Sequence, residues 1–438
     1  MAPQPQPTSV FVLDNGASEI KAGLASSPSP TIYPNAITRS RDRRVFIADE
    51  LYTQCKDFSG LVYRRPYEKG HLTNWESEKV IWDRVIYGDG SSSSDGVRPE
   101  ETAFILGEPS AQLPVCSANT DQIVFEEYGF ATYFRCPSAF LVHENDHNEA
   151  LYQTEEETDA QPLAESTKKN TKLLKSDTTL VIDSGYSATV VTPIIENKVY
   201  HAGIKRLNIG GKLLRNYLKE TISYRHYNMM DESYIVNEIK EHCCYVSTKF
   251  AADLEICKKF SLAKNPLAIE YVLPRASASG FRAGHVRTKS EASEPDDQIL
   301  VLANERFSIP EVLFHPSDID IAQAGVPEII AQSLNTIPDR DVRNLLLANT
   351  VFVGGSTKFE GFKERVSSEL QALTPDDAFL RLGFPDDPIT YAWQGGARLG
   401  QQKARLRSLQ VTKKEYMEYG SNICLQKFGR PAKDDREL

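Results

Sequence analysis

The chain has 438 residues, 40% hydrophobic and 25% charged, an ordinary globular composition with material for two to four lobes and their buried cores. A net charge of −10 argues against a surface that binds nucleic acid throughout and leaves only local basic patches for phosphate. No run of about 18 apolar residues is present to span a membrane, and Met1–Thr8, rich in Pro and Gln, lacks the regions of a signal peptide.

Residues 1–8 read as a disordered start. From Ser9 the sequence SVFVLDNGASEIKAG describes a buried strand that ends in Asp14-Asn-Gly16, turns, and returns through Lys21. The tract Gly88–Pro99, GDGSSSSDGVRP, reads as a flexible connector. His143–Asp177 is acidic and then lysine-bearing, and reads as a largely solvated insertion. At Leu180 the first pattern recurs: LVIDSGYSATVV is a strand ending in Asp183-Ser184-Gly185, followed by a returning strand. Glycine at such a turn lets backbone amides approach an anion, and the paired Asp residues suit a hydrated divalent cation.

Arg275–Gln298 is basic, then acidic, and rich in Ser, Ala and Gly, so a mobile loop is expected. A third glycine turn, NTVFVGGST, places Gly354 and Gly355 after a strand and predicts a helix capped near Ser356 or Thr357, a natural seat for phosphate. One Asp-x-Gly is more often a plain turn. Order, spacing and duplication carry the signal here. Seven scattered cysteines without a C-x-x-C pair predict reduced thiols rather than a disulfide framework or zinc ribbon.

Long collinear blocks resemble actin and its relatives: Arg64–Val85, Leu302–Ser317, Leu345–Pro375, Tyr391–Gly400 and Val411–Gly420. Asp121–Phe134 and Glu220–Glu241 most resemble the branch of actin-related proteins found in Swr-type chromatin remodellers. The resemblance implies an α/β fold of two duplicated lobes, each with an outer subdomain, around a nucleotide cleft. It places subdomain 1 at residues 9–34, 66–140 and 390–430, and subdomain 2 at 35–65. The insertion at 141–177 follows, then subdomain 3 at 178–209 and 323–389 and subdomain 4 at 210–322, with its own insertion near 275–298.

The same resemblance implies that Asp14, Gly16, Lys21, Asp183, Ser184 and Gly185 face the phosphates of ATP or ADP with a divalent cation. Gly211, Lys240, Glu241, Gly354 and Gly355 then lie toward the ribose, base and α-phosphate. The departures from actin gather near the terminal phosphate. Ala17 replaces a hydroxyl, Tyr186 a metal-side acid, Ser138 a water-positioning glutamine and Val190 a histidine, while Ile389 and Asn208 replace a lysine and an acid. Phosphoryl transfer is positioning plus electrostatics, so hydrolysis is expected to be very weak or absent, with no catalytic residue assigned.

A shortened outer loop at Arg39–Glu50 and two acids, Asp318 and Asp320, in the filament plug argue against polymerisation. The implied role is a nuclear scaffold subunit, with a cytoplasmic pool, beside a motor ATPase, a small zinc-finger-type protein and histones. The alternatives are a cytoskeletal protein or a weak actin-fold ATPase outside chromatin. The acidic insertion is a candidate histone contact. Lys258, Lys259, Lys264, Arg275, Arg282 and Arg287 are candidate DNA contacts, although solvated loops are the plainer reading of both. His143-Glu144-Asn145-Asp146-His147 matches H-E-x-x-H, yet an acidic surface loop explains it better than a zinc protease.

Overall fold

A computed structural model describes residues 7–88, 97–110, 112–147, 177–277, 280–288, 290–291, 296–375 and 378–429. Expectations for residues 1–6, most of the 88–99 connector, 148–176 of the acidic insertion and parts of the 275–298 loop lie outside the described residues.

Each lobe is built on one of the two duplicated hairpins. Strand Ser9–Asn15 is buried from Phe11 onward, as its unbroken apolar run requires of a strand covered on both faces. It pairs antiparallel with Glu19–Leu24 and parallel with Thr102–Glu108, inside a six-stranded sheet. Thr179–Ser184 repeats the arrangement, antiparallel to Thr189–Ile195 and parallel to Thr350–Val353. Both Asp-bearing strands therefore end at the same kind of sheet edge, where ligands of α/β folds gather. Small outer sheets complete the lobes, one from Ile37–Arg39, Val45–Ile47 and Val62–Arg64, the other from Ile269–Val272, His285–Val286 and Ile299–Leu302.

Beneath the cleft the lobes share a core that includes Val12, Ile105, Leu141, Val181, Val351 and Trp393. Helix Tyr391–Gln401 lies against Ser138–His143 at a distance only glycine permits, since a Cβ on Gly395 would sit 1.7 Å from the Leu141 carbonyl oxygen. Asn145 Nδ2 donates to the Tyr391 carbonyl at 2.7 Å and fixes the same junction.

This junction corrects the surface-loop reading of residues 143–147. His143, Glu144, Asn145 and His147 are all buried. The two histidines also point at different partners: His143 meets Thr179 at 3.0 Å and Asn197 at 3.1 Å, whereas His147 meets the Tyr391 hydroxyl at 3.1 Å. Glu144 pairs with Arg405. The polar letters look solvated in sequence, but four of the five are buried, and each of these four makes at least one polar contact inside the fold. No group of three metal-ligating side chains occurs among the described residues, which removes the zinc-protease alternative there. Likewise, no described helix is long and apolar enough to cross a membrane.

Candidate functional site

The two Asp-x-Gly turns face each other across a cleft of about 470 Å³. Asp14, Gly16 and Lys21 line one wall, Asp183 and Gly185 the other, and Gly211, Lys240, Glu241, Gly354 and Gly355 the remainder. Ten of the eleven residues expected from sequence are thus brought together. Ser184 is the exception: it is fully buried behind the wall, with its hydroxyl 2.9 Å from that of Thr189.

Antiparallel pairing sets Lys21 directly opposite Asp14 in the first hairpin. Ser138 Oγ donates to Asp14 Oδ1 at 2.6 Å. Burial at the cleft floor pushes the Asp183 carboxyl up to about 7; the charge of Asp14 adds to this and Lys21 opposes it. On helix Ser233–Cys243, Lys240 Nζ donates to Asn237 Oδ1 at 2.9 Å, and burial lowers its pKa. Asn237 lines the cleft as well. Sequence reasoning passed over it, although its i, i+3 spacing from Lys240 on one helix was the available signal.

The third turn differs from its expectation. Gly354 adopts φ +94°, and a Cβ there would lie 2.5 Å from the Ser184 carbonyl oxygen and 2.7 Å from Asp183 Oδ1. The chain then makes a 3-10 turn at Gly355–Lys358, and the helix starts only at Phe362, after Gly361. Thr357 is not its cap; the Thr357 hydroxyl donates to the Gly354 carbonyl at 2.8 Å instead. The phosphate seat predicted at a helix N-terminus is therefore a tight glycine turn, because the 361 position (φ +80°) interrupts the helix.

The cleft fits a nucleotide polyanion. Bare glycine backbone approaches from both lobes, and Lys21 and Lys240 supply positive charge. A divalent cation would suit the space between Asp14 and Asp183, offsetting the burial that raises Asp183 and the Asp14 charge that adds to it, with water and phosphate supplying its other ligands. The departures line the same space: Ala17, Ser138, Tyr186, Val190 and Ile389. Asn208 does not. Its Oδ1 accepts from Arg206 Nε at 3.0 Å outside the cleft wall.

Residues 6–429 match the family described as Actin. The chain belongs to the actin family. Within that family it is similar to "Actin-like protein arp6" of Aspergillus fumigatus, 38% identical over 97% of this chain and 96% of that protein. "Actin-related protein 6" of Neurospora crassa is 39% identical over 96% and 94%, and that of Drosophila melanogaster 36% over 94% and 97%. These are the relatives expected from 121–134 and 220–241. The two duplicated α/β lobes are the actin fold, a family that typically binds nucleotide with a divalent cation, and the two hairpin turns meet across the cleft.

Proposed function

We propose that this actin-family chain is a non-catalytic scaffold subunit of a Swr-type chromatin remodeller, which exchanges a variant H2A-type histone into nucleosomes and so regulates transcription. The observation that carries the reading is the cleft itself, in a chain similar end to end to actin-related protein 6. The cleft keeps its phosphate turns but presents Ala17 and Tyr186 beside the terminal phosphate and its metal, and Ser138 and Val190 where water must be aligned. Two of these are plain hydrocarbon. Serine is short and its hydroxyl is spent on Asp14. Without a group that orients water for in-line attack, the largest contribution to phosphoryl transfer is missing.

Nucleotide then acts as a structural wedge, and the ATP that drives exchange is hydrolysed by the motor subunit. The rigid body docks on that motor and, with a small zinc-finger-type partner, faces the nucleosome. The chain works in the nucleus and has a cytoplasmic pool. Asp318 and Asp320 are exposed on the turn around Pro316–Ile319, so a filament contact there would have to bury two carboxylates. DNA contact through the subdomain 4 basic residues is weakened by local pairing: Arg287 with Glu270, Arg282 with Glu291 and Asp297, Arg275 with Asp296, and Lys258 with Glu255.

The test is mild-salt purification of the tagged protein from nuclear extract, with mass spectrometry of its companions. Recovery of a Swr-type motor with its subunits supports the scaffold role; arrival alone or with cytoskeletal proteins overturns it. In the reconstituted complex, Asp14→Ala should leave exchange running, and its complete loss with assembly intact would overturn the division of labour.

A further inference from the structure

The mouth of the cleft is crossed by a set of protein contacts that the phosphate turns do not explain. Arg65, in the first lobe, is anchored there by its Nη1, which donates to the carbonyls of Ser18 at 2.9 Å and Asn35 at 3.3 Å. Its guanidinium lies over the Tyr186 ring of the second lobe at 4.9 Å from the centroid, and over Tyr63 at 5.1 Å. Tyr186 is held from its own side by Arg215, whose Nη1 donates to the phenol oxygen at 3.1 Å. Burial acts to raise the Tyr186 pKa, yet the charges of Arg65, Arg215 and Lys212 outweigh it and the net shift is downward. The ring that replaced a metal-side acid therefore sits between two guanidiniums, one from each lobe.

Further out, Glu232 of the second lobe takes two donors from the first: Arg41 Nη2 at 2.5 Å and the Gly60 amide at 2.8 Å. Beside it Tyr234 stacks on Phe58 with ring centroids 4.7 Å apart, and packs against the small outer core of Phe46, Leu51 and Leu61. A fourth bridge joins Arg206 to the Lys69 carbonyl. The bridges differ in chemistry, and each joins the first lobe to the second.

We infer that Arg65–Tyr186, Arg41–Glu232–Gly60 and Phe58–Tyr234 form a protein-only latch that keeps the two lobes closed without nucleotide between them. A stacked cation, a stacked aromatic pair and a carboxylate that takes two donors across the cleft each favour the closed arrangement. Acting on one hinge, such contributions are of the size needed to bias a two-state opening by a hundredfold or more. The cleft is then not a nucleotide-driven switch, and the surfaces of the closed body stay in one arrangement whatever it holds. This stands independently of the scaffold role and of nucleotide binding.

The test uses full-length protein stripped of nucleotide and metal. Hydrogen–deuterium exchange is followed at the peptides containing Gly60 and residues 183–188 in wild type, Glu232→Ala and Arg65→Met. Slow exchange in wild type, accelerated about tenfold or more in each variant with the rest of the map unchanged, is expected. Equal rates in wild type and both variants overturn the latch. Small-angle scattering of wild type alone gives a second reading that needs no variant. The radius of gyration should be the same with and without Mg-ATP, and expansion on stripping overturns the proposal. A titration of ATP into wild type reports separately on nucleotide binding, so its failure leaves the latch untouched.

Discussion

Ser138 Oγ donates to Asp14 Oδ1 at 2.6 Å and ties the helix under the cleft to the first phosphate turn. Gly107 makes room for this hydroxyl, because a Cβ on that glycine would lie only 2.9 Å from it. The serine that stands in place of the water-positioning glutamine props up an acid instead. Ser138→Ala should therefore cost stability, about 1–3 kcal/mol for a hydrogen bond to a charged acceptor, seen as a lower urea midpoint with unchanged slope. ATP turnover should stay at background. The gain-of-function pair Ser138→Gln with Val190→His should raise it, and wild-type turnover well above background would contradict the non-catalytic reading.

Asp183 gives a pH signature whose sign is fixed. Its folded-state pKa, about 7, lies above the ordinary value of 3.8, so the folded state holds a proton that the unfolded chain has released. The group's favourable contribution is complete below pH 3.8 and disappears as pH rises through about 7. Asp183→Asn should stabilise the metal-free protein at pH 8 relative to wild type, with the advantage shrinking toward pH 4. Because the carboxyl borders cleft solvent, the difference should be of order 1–3 kcal/mol rather than the full value of a three-unit shift. Glu78, also raised to about 7 by burial, titrates in the same window and cancels in the comparison between the two proteins. Thermal melts at pH 4, 6 and 8 measure it; a constant offset across that range would show that Asp183 is not held in the proton-bound form.

At Gly354 a side chain has nowhere to go. The backbone is left-handed there, and the Cβ would strike the Ser184 carbonyl oxygen and Asp183 Oδ1, both belonging to the second phosphate turn. Gly354→Ala should destabilise the fold by about 1–3 kcal/mol from backbone strain, and by more if the strand cannot shift. It should also weaken nucleotide binding more than Gly355→Ala, since a Cβ on Gly355 meets nothing within 4 Å. Comparable losses in the two variants would argue against the geometry of this turn.

The sequence was most legible where pattern and chemistry coincide. Asp14-Asn-Gly16 and Asp183-Ser-Gly185 each follow an apolar run that can only be a covered strand, so both hairpins and their meeting point were readable before any coordinates. Lys240 and Glu241 came with the resemblance, and the structure puts them on the cleft wall. The misses have a common cause. His143–His147 is polar in letters, yet His143, Glu144, Asn145 and His147 are buried against residues far along the chain, namely Thr179, Asn197, Tyr391 and Arg405. Ser356 and Thr357 are good caps by composition, but the backbone at Gly361 decides where the helix begins. The Arg65–Tyr186–Arg215 stack joins three segments with no shared motif. Single-sequence periodicity carries no term for such encounters.

Arg135 shows the same lesson as a buried charge. Its Nε and Nη2 bond the two oxygens of Asp121 at 2.8 and 3.1 Å, and its Nη1 bonds Glu108 at 2.8 Å. All three side chains are buried, and Ser117 donates to Glu108 as well. Burial raises the pKa of both acids even though Arg135 pulls against it, so desolvation is the larger influence on each. The triad consequently stabilises little as a whole but cannot be broken in part. Arg135→Met should cost about 3–5 kcal/mol at pH 7, because two buried carboxylates lose the cation they share. The loss should shrink at pH 5, where the orphaned acids take up protons. Adding Glu108→Gln and Asp121→Asn should recover most of the stability, as neutral groups leave no charge to bury. Denaturant midpoints of the single and triple variants at both pH values decide it: an equal loss at pH 7 and pH 5, with no recovery in the triple variant, would mean that packing rather than buried charge holds this corner of the first lobe.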